Sequence, residues 1–365
     1  MTSTMLRLPL RSLPACRPHA LSQIARNAST QASESSPSKA RSTSLLFGLG
    51  SGALIASYFL WPDQSRAAPT KKNSLLSPTH FTPVEITETE PCPDPNTRLM
   101  TLTVPRQSIP SLNETAFQPI WSIYIKDDDI QVERPFTPLE GMDSEGRMKF
   151  WIKRYERGEV GRWLHSKKVG DKIEIRGPLK TWPWQEGEWD EVVMISGGTG
   201  ITPFYQLIHK ELLSQASPKS KTRFTLLHSS RRPTELPPAE LLRPLLAYSQ
   251  AHPDKLNLRL FVDSPEGPSH PATPSSTLAV GRIGRTAIED AMGAGSKSWW
   301  RSLFGASSSS RSQGNEAGKK VMFLVCGPDP MVAAIAGPFG RNFSQGDVGG
   351  ALGELGYDKA SVWKL

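Results

Sequence analysis

The apolar residues between positions 81 and 180 fall in short runs separated by proline-rich turns, a pattern typical of β-strands. Five of these runs predict strands, at residues 84–89, 99–104, 120–126, 150–155 and 172–176. The Gly177-Pro178 pair ends the last run, because both residues disfavour the interior of a strand. We expect these strands to form a small antiparallel barrel.

From residue 188 onward, apolar strands alternate with segments of helical spacing, which is the pattern of an α/β domain. Helical spacing follows residue 202 and recurs over residues 236–248. The predicted strands are residues 192–195, 224–228, 256–262 and 321–325. This order predicts a doubly wound sheet with helices on both faces.

The first of these strands runs into a glycine-rich turn, in the sequence VVMISGGTGITP at residues 192–203. Gly197, Gly198 and Gly200 allow positive φ and let a ligand approach the backbone. Thr202 and Pro203 suit the N-cap and the first turn of a helix. Because a helix start attracts anions, a dinucleotide pyrophosphate could bind here. A plain strand–turn–helix without a ligand is the alternative.

A second strand–turn–helix unit follows the strand at residues 321–325. The sequence CGPDPM continues from Cys326 to Met331, and Asp329 is a candidate N-cap before Pro330. Both turns would lie at the carboxyl ends of parallel strands, where open sheets bind ligands. The repetition therefore favours a ligand site over a plain turn.

The first 80 residues have a different composition from the rest of the chain. Residues 1–44 contain six arginines and lysines but only one acid, which is typical of a mitochondrial presequence, although a disordered basic tail is the alternative. Residues 45–61 carry no charge, which favours a retained transmembrane anchor over the apolar part of a cleaved leader. Residues 62–80 are predicted to be a linker.

Charge and cysteine content exclude two classes of function. The net charge is +8, of which residues 1–44 hold +5, so the remaining +3 does not indicate a nucleic-acid-binding protein. The cysteines Cys16, Cys92 and Cys326 form no pair or cluster with metal-ligand spacing, so we expect no metal site.

Two segments of the α/β half, residues 264–276 and 293–319, are rich in proline, glycine and serine and are predicted to be disordered insertions. The second contains Trp299, Trp300, Leu303 and Phe304, so docking on a membrane or a partner is an alternative to a tethered loop.

Three motifs in this order resemble the ferredoxin–NADP reductase superfamily, and most closely its NADH–cytochrome b5 reductases. They are RPFTP at residues 134–138, GGTGITP and CGPDPM, and the resemblance covers residues 81–365. It implies an FAD-binding β-barrel domain at residues 81–180 and an NAD(P)H-binding α/β domain at residues 188–365. The flavin would lie in the cleft between them.

The resemblance also implies roles for single residues. Arg134 would bind the flavin pyrophosphate, and Thr137 would stand near flavin N5. Cys326 would lie beside the nicotinamide, so Thr137 and Cys326 are the catalytic candidates. The remaining cofactor contacts are Pro135, Phe136, Ile152, Lys153, Tyr155, Val160, Gly161, Gly197, Gly198, Thr199, Gly200, Thr202, Gly327, Pro328 and Met331.

Two positions depart from the family motifs. Phe136 replaces a tyrosine and lacks its hydroxyl, and Gly161 replaces a serine that helps to hold the flavin phosphate, so we expect weaker or altered FAD binding. Glu235 matches the acid that NADH-preferring relatives direct to the ribose, whereas Ser230, Arg231 and Arg232 resemble a site for the 2′-phosphate of NADPH. NADH is favoured, and NADPH remains the alternative. Trp363 takes the place of an aromatic residue that covers the flavin.

The implied function is that of an FAD-dependent NAD(P)H oxidoreductase that passes electrons to haem or a haem protein in mitochondria. One version is a redox assembly factor for cytochrome c haem attachment, like that of fungal mitochondria. The alternatives are a general donor to a cytochrome b5-like carrier and a scaffold that keeps the fold without activity. With the predicted anchor in the inner membrane, the catalytic domain would face the intermembrane space.

Overall fold

The computed structural model describes residues 68–111, 115–127, 131–215, 220–274, 277–293 and 319–365. The predicted presequence and anchor, residues 1–61, lie outside them, as does most of the insertion at residues 293–319. No helix among the described residues has both the length and the apolar character needed to span a bilayer. The described residues belong to one compact unit, Asp63–Leu365.

The N-terminal half is a six-stranded antiparallel sheet with the strand order β4-β3-β6-β1-β2-β5. The edge strands approach each other after β4, where the N–H of Leu139 donates to the carbonyl of Lys149 at 2.8 Å. This contact closes the sheet into the predicted barrel. The strands are β1 (Thr82–Pro91), β2 (Thr97–Thr103), β3 (Trp121–Lys126), β4 (Glu133–Phe136), β5 (Arg147–Lys153) and β6 (Lys172–Lys180).

Alternate side chains of these strands fill the barrel, and one helix, α1 (Glu159–Ser166), packs against them. Its buried residues Val160, Trp163 and Leu164 join the same core as Ile123 and Phe150. The chain before β1 belongs to this core as well, because Leu76 is 4% exposed. Leu76 therefore packs on the barrel, and its N–H donates to the carbonyl of Ser108, which differs from an extended linker over residues 62–80.

The C-terminal half is a six-stranded sheet of parallel strands in the order β10-β9-β8-β7-β11-β12. The chain adds strands on one side of β7 and then crosses to the other side at β11, so the topology switches between β7 and β11. The strands are β7 (Glu191–Gly197), β8 (Arg223–Ser230), β9 (Leu256–Val262), β10 (Leu278–Val280), β11 (Val321–Cys326) and β12 (Val362–Lys364).

Helices cover both faces of this sheet, as the alternation of strands and helices predicts. In β7, Val192 and Met194 face one layer while Val193 and Ile195 face the other. The helices are α2 (Thr202–Ile208), α3 (Ala239–Ala251), α4 (Arg285–Ala291), α5 (Asp329–Ala336) and α6 (Gly350–Glu354). A wider turn, His209–Leu213, continues α2.

The two halves share a buried core instead of meeting across solvent. Trp151 and Trp182 of the barrel pack in one cluster with Met194, Phe204 and Leu207 of the α/β half. A shared core of this kind fixes the relative position of the two halves.

Several details differ from the sequence-based expectations. A 3-10 turn, Gly198–Ile201, precedes α2, so Ile201 takes the N-cap position and Thr202 is the first helical residue. Pro328 likewise takes the N-cap position that was predicted for Asp329. The strand at β11 is not the last, because the C-terminal tail adds β12 beside it.

Residues 264–274 differ from the disorder expected for the insertion at residues 264–276. His270 is 4% exposed and Thr273 is 2% exposed, and the N–H of Thr273 donates to the carbonyl of His270. Ala272 packs against the apolar cluster beneath α3. The helix predicted at residues 236–248 begins later, at Ala239, because Pro237 and Pro238 precede it.

Candidate active site

The glycine-rich turn at residues 197–200 and the turn of the CGPDPM segment lie side by side at the carboxyl ends of β7 and β11. Their backbones touch, because a Cβ on Gly200 would overlap the carbonyl oxygen of Cys326. A Cβ on Gly327 would lie 3.1 Å from the amide nitrogen of Gly197, and Met331 packs over both. Glycine is required at these positions by close approach, and the approach places both predicted nucleotide motifs at the switch point of the sheet.

The Gly198 backbone is open toward the cleft. Its φ is +54°, and the hydroxyl of Tyr155, at 3.7 Å, is the nearest atom that a Cβ there would meet. Thr199 and Gly200 follow in the 3-10 turn, and both residues are partly exposed. The turn is therefore a cradle of exposed backbone that a pyrophosphate can approach.

A cleft of about 720 Å³ lies next to this cradle and between the two halves. The lining is strongly cationic, since four of the seven lining residues are basic and one is acidic. The lining residues are Asn96, Lys153, Arg154, Tyr155, Glu156 and Arg162 of the barrel and Arg231 of the α/β half. Such a charge balance favours a ligand that carries phosphate groups.

Lys153 links the two halves at the floor of this cleft. Its ammonium lies 3.0 Å from Glu235 Oε2 and 3.4 Å from Asp94 Oδ2, and its side chain is only 8% exposed. Arg231 also pairs with Glu235 Oε2, at 3.0 Å, while 73% of its own side chain stays exposed. Glu235 is thus occupied by two cations.

This pairing determines the ionisation of Glu235. Partial burial opposes loss of its proton, but the hydrogen bonds and charges of Lys153 and Arg231 outweigh burial and lower the pKa. The carboxylate stays charged and orients Arg231 at the cleft. It therefore anchors two cations, and the ribose contact that the resemblance implies stays a prediction.

The RPFTP segment lies on the edge strand β4 and continues past its end. Arg134 is exposed, and its Nη1 donates to the carbonyl of Glu133 at 2.8 Å, which leaves guanidinium donors for a phosphate. The Phe136 ring packs partly on the barrel core. Together with the exposed Tyr155, these residues fit FAD.

Two predicted flavin contacts are core residues instead. Ile152 is completely buried and Val160 is 1% exposed, and both side chains belong to the barrel core. Strand alternation explains Ile152, because its neighbours Trp151 and Lys153 point to the opposite face of β5. These two residues can contribute only their backbone to a ligand.

Gly161 has a packing reason of its own. A Cβ at this position would lie 2.7 Å from the carbonyl oxygen of Lys153, so α1 approaches the end of β5 too closely for any other residue. The close position of α1 therefore explains why position 161 holds a glycine where the family has a serine. The backbone N–H groups at the start of α1 remain the available phosphate donors there.

We expect Gly161→Ser to destabilise the protein instead of strengthening FAD binding. The added Cβ must push α1 away from β5, and overpacking of this kind typically costs about 1–3 kcal/mol. Urea unfolding of the full-length protein, with Gly170→Ser as the control because a Cβ there meets nothing within 4 Å, measures the difference. Since Gly170 has a φ of +92°, the control reports the cost of an unfavourable φ without a clash. Tighter FAD binding with unchanged stability would contradict the packing argument.

Cys326 ends β11 beside Gly200 and keeps part of its surface exposed. The surrounding protein nevertheless removes water from its sulfur, and this burial raises the pKa of the thiol to about 12. The side chain is thus a neutral thiol at physiological pH and is not activated as a nucleophile. Its contribution at the switch point is one of packing and position.

A buried hydrogen-bonded chain that the sequence did not reveal connects the first turn to Glu235. Ser196 Oγ lies 2.8 Å from His228 Nδ1, and His228 Nε2 lies 3.2 Å from Ser230 Oγ. Ser230 in turn donates to the carbonyl of Glu235. One His228 tautomer, protonated at Nε2, satisfies every link. The chain fixes the Glu235 segment relative to the glycine-rich turn.

The free energy of unfolding should fall as pH decreases from about 6.5 towards 3 because of His228. Complete burial lowers its pKa from 6.5 to about 3, so between these values only the unfolded state binds the proton. Urea unfolding at a series of pH values should show a shallower loss in His228→Asn than in the unchanged protein. If the free energy of unfolding depends on pH equally in the two proteins, His228 is not the cause of the loss.

Comparison with known proteins agrees with this geometry. The oxidoreductase FAD-binding domain family matches residues 95–184, and the oxidoreductase NAD-binding domain family matches residues 194–337. The first match ends after β6 and the second begins within β7, so the boundary lies near the point where the barrel ends and the parallel sheet begins.

Curated relatives point to the same group. An NADH-cytochrome b5 reductase 2 from Lodderomyces elongisporus is 30% identical over 242 residues, which are 66% of this chain and 70% of the relative. The NADH-cytochrome b5 reductase 2 from Debaryomyces hansenii is also 30% identical, over 64% of this chain and 67% of its own length.

The structural likenesses extend over most of the chain and concern the fold. The cytochrome b5 reductase domain of Ulva prolifera nitrate reductase superposes with a TM-score of 0.54 at 21% identity, covering 80% of this chain and 100% of that domain. The CS-b5R domains of human Ncb5or give 0.55 at 16% identity, covering 78% of this chain and 69% of theirs. The chain is a flavin-dependent oxidoreductase that belongs to the NADH–cytochrome b5 reductase-like family of the ferredoxin–NADP reductase superfamily.

Proposed function

We propose that this oxidoreductase takes electrons from NADH through FAD and passes them to a haem protein in mitochondria, where it supports cytochrome c haem attachment. The observation that carries the electron-donating part is the cleft, which has a cationic lining and whose Tyr155 lies next to the Gly198 backbone of the first nucleotide turn. FAD, when bound, accepts two electrons together from a reduced nicotinamide and releases them singly.

The side chains of the site bind and orient the cofactors in this proposal. Arg134 binds the flavin pyrophosphate, and Thr137 presents its hydroxyl to the flavin ring. The turn at residues 197–200 receives the dinucleotide pyrophosphate, since the Gly198 backbone is open toward the cleft. Cys326, as a neutral thiol, packs beside the nicotinamide without exchanging protons.

The mitochondrial part of the proposal is supported by the N-terminal sequence. Residues 1–44 have the composition of a presequence, and residues 45–61 form an uncharged run directly after it. The curated relatives are named for cytochrome b5, which favours a cytochrome b5-like carrier as the second candidate acceptor. NADPH is the alternative donor, because Arg231 and Arg232 follow β8.

A comparison of acceptors tests the proposal. Full-length protein with bound FAD would be mixed with NADH and either cytochrome c, haem or cytochrome b5, and the reduction of each would be followed by absorbance. We expect reduction of cytochrome c or its haem to exceed that of cytochrome b5. Faster reduction of cytochrome b5 would favour the second candidate. A protein that oxidises no NADH after addition of FAD would support a non-enzymatic scaffold.

Protease treatment of mitochondria tests the location. Intact mitochondria, mitochondria with a ruptured outer membrane and detergent lysates would be digested and probed for the C-terminus. The proposal expects protection in the first sample and digestion in the second. Survival until detergent is added would place the domain in the matrix and remove acceptors of the intermembrane space.

A further inference from the structure

Gln206 is a polar residue in the apolar core shared by the two halves. It is 3% exposed and lies on α2 between Tyr205 and Leu207, which belong to that core. Burying an amide is costly unless its donors and acceptors are paired, so a glutamine at this position needs partners.

Its partners are backbone groups of the barrel. Oε1 accepts from the N–H of Trp121 at 2.9 Å, and Nε2 donates to the carbonyls of Trp121 at 3.1 Å and of Pro138 at 2.9 Å. The orientation of the amide follows from chemistry, because an N–H can only donate and a carbonyl can only accept.

The pairing of β3 and β4 explains why these groups are available. Ile125 faces Arg134 and Ile123 faces Phe136, so the same register would place Trp121 opposite Pro138. Proline has no N–H to give to the Trp121 carbonyl, and the ladder ends at Phe136. The amide of Gln206 takes the place of the missing donor.

We propose that Gln206 is a positioning residue that holds Thr137 and Pro138 in a fixed relation to the glycine-rich turn. Helix α2 begins directly after the glycine-rich turn, and the amide of its Gln206 donates to the carbonyl of Pro138 in the RPFTP segment. Gln206 thereby sets the distance between the nicotinamide and flavin sites. The inference rests on the proposed role of Thr137 and on flavin reduction by NADH, and it is independent of the acceptor.

Three variants of the full-length protein separate positioning from general stability. Gln206→Leu removes all three hydrogen bonds. Gln206→Glu keeps the size of the side chain, but it can donate a hydrogen bond only while its carboxyl is protonated. Lys149→Met is the matched control, because it breaks another side-chain contact between the halves, the pair of Lys149 and Glu240 at 2.6 Å, and leaves the three Gln206 hydrogen bonds in place.

The first readout needs no catalysis. Amide hydrogen exchange of Trp121 should accelerate at least about tenfold in Gln206→Leu, with or without FAD, since its acceptor is removed. Lys149→Met should leave this exchange within about twofold. Unchanged exchange in Gln206→Leu would overturn the inference.

The second readout is the rate of flavin reduction in rapid mixing with NADH. Misplacement of reacting groups by about 1 Å can cost about 100-fold, so we expect Gln206→Leu to lose at least about tenfold with its affinity for NADH within about threefold. Gln206→Glu should be faster at low pH, where the acid donates to a carbonyl, and slower at high pH. If Gln206→Leu does not fold, a pH-independent rate in Gln206→Glu overturns the inference on its own. If NADH reduces the flavin of the unchanged protein but the protein then reduces no cytochrome, the proposed acceptor is refuted and this inference stands.

Discussion

Lys153→Met should lower the free energy of unfolding by about 3 kcal/mol. The substitution removes the cation that both Asp94 and Glu235 contact. Removal of one partner from a buried ion pair typically costs about 3–5 kcal/mol. The value lies at the lower end because Glu235 retains Arg231. Urea unfolding of the full-length protein at neutral pH measures the change.

Lys149→Met is the control, because it lies on the same strand and also contacts the α/β half. Its ion pair with Glu240 has side chains that are 30% and 47% exposed, and exposed pairs contribute about 0–1 kcal/mol. Adding Asp94→Asn to Lys153→Met should recover part of the loss, because Asp94 is the carboxylate that is left without its cation, whereas Glu235 retains Arg231. Equal costs for the two lysines would show that the cleft floor is not a buried ion cluster.

Arg134→Ala should weaken FAD binding by about tenfold to about 150-fold. Hydrogen bonds to charged groups contribute about 1.5–3 kcal/mol, which converts to that range of dissociation constants. The guanidinium is exposed and makes its described hydrogen bond to its own neighbour, so the fold should lose little. Titration of the FAD-free protein by flavin fluorescence measures the effect.

Arg134→Lys distinguishes charge from geometry, since lysine keeps the charge but cannot form a planar fork. It should fall between alanine and the unchanged protein. Arg157→Ala, another exposed arginine of the barrel, should bind FAD within about twofold of the unchanged protein. A normal dissociation constant for Arg134→Ala would mean that the RPFTP segment does not hold the flavin phosphate.

The parts of the fold that depend on local pattern could be predicted from the sequence. The glycine-rich turn and the strand before it are encoded within a dozen residues, and their place at a sheet switch point followed from the second copy at residues 321–331. The start of α2 was misplaced because a 3-10 turn at residues 198–201 shifts it by a residue. The three-residue strand β12 is too short to leave a periodic signal.

The contacts that join the halves could not be predicted, because they depend on residues far apart in the chain. Lys153 and Glu235 are 82 residues apart, and Trp121 and Gln206 are 85 residues apart. A polar residue among the apolar positions of a helix was the available signal for Gln206. Nothing in the sequence identified its partners, because these are backbone groups.

Anaerobic mixing of the FAD-loaded full-length protein with NADH tests most directly whether the cleft brings nicotinamide and flavin together. The account predicts that stoichiometric NADH bleaches the flavin absorbance without any added acceptor. NADH deuterated at the transferred position should do so several times more slowly, because hydride transfer limits the step. A protein that binds FAD at this cleft but keeps its flavin oxidised in the presence of excess NADH would contradict the account.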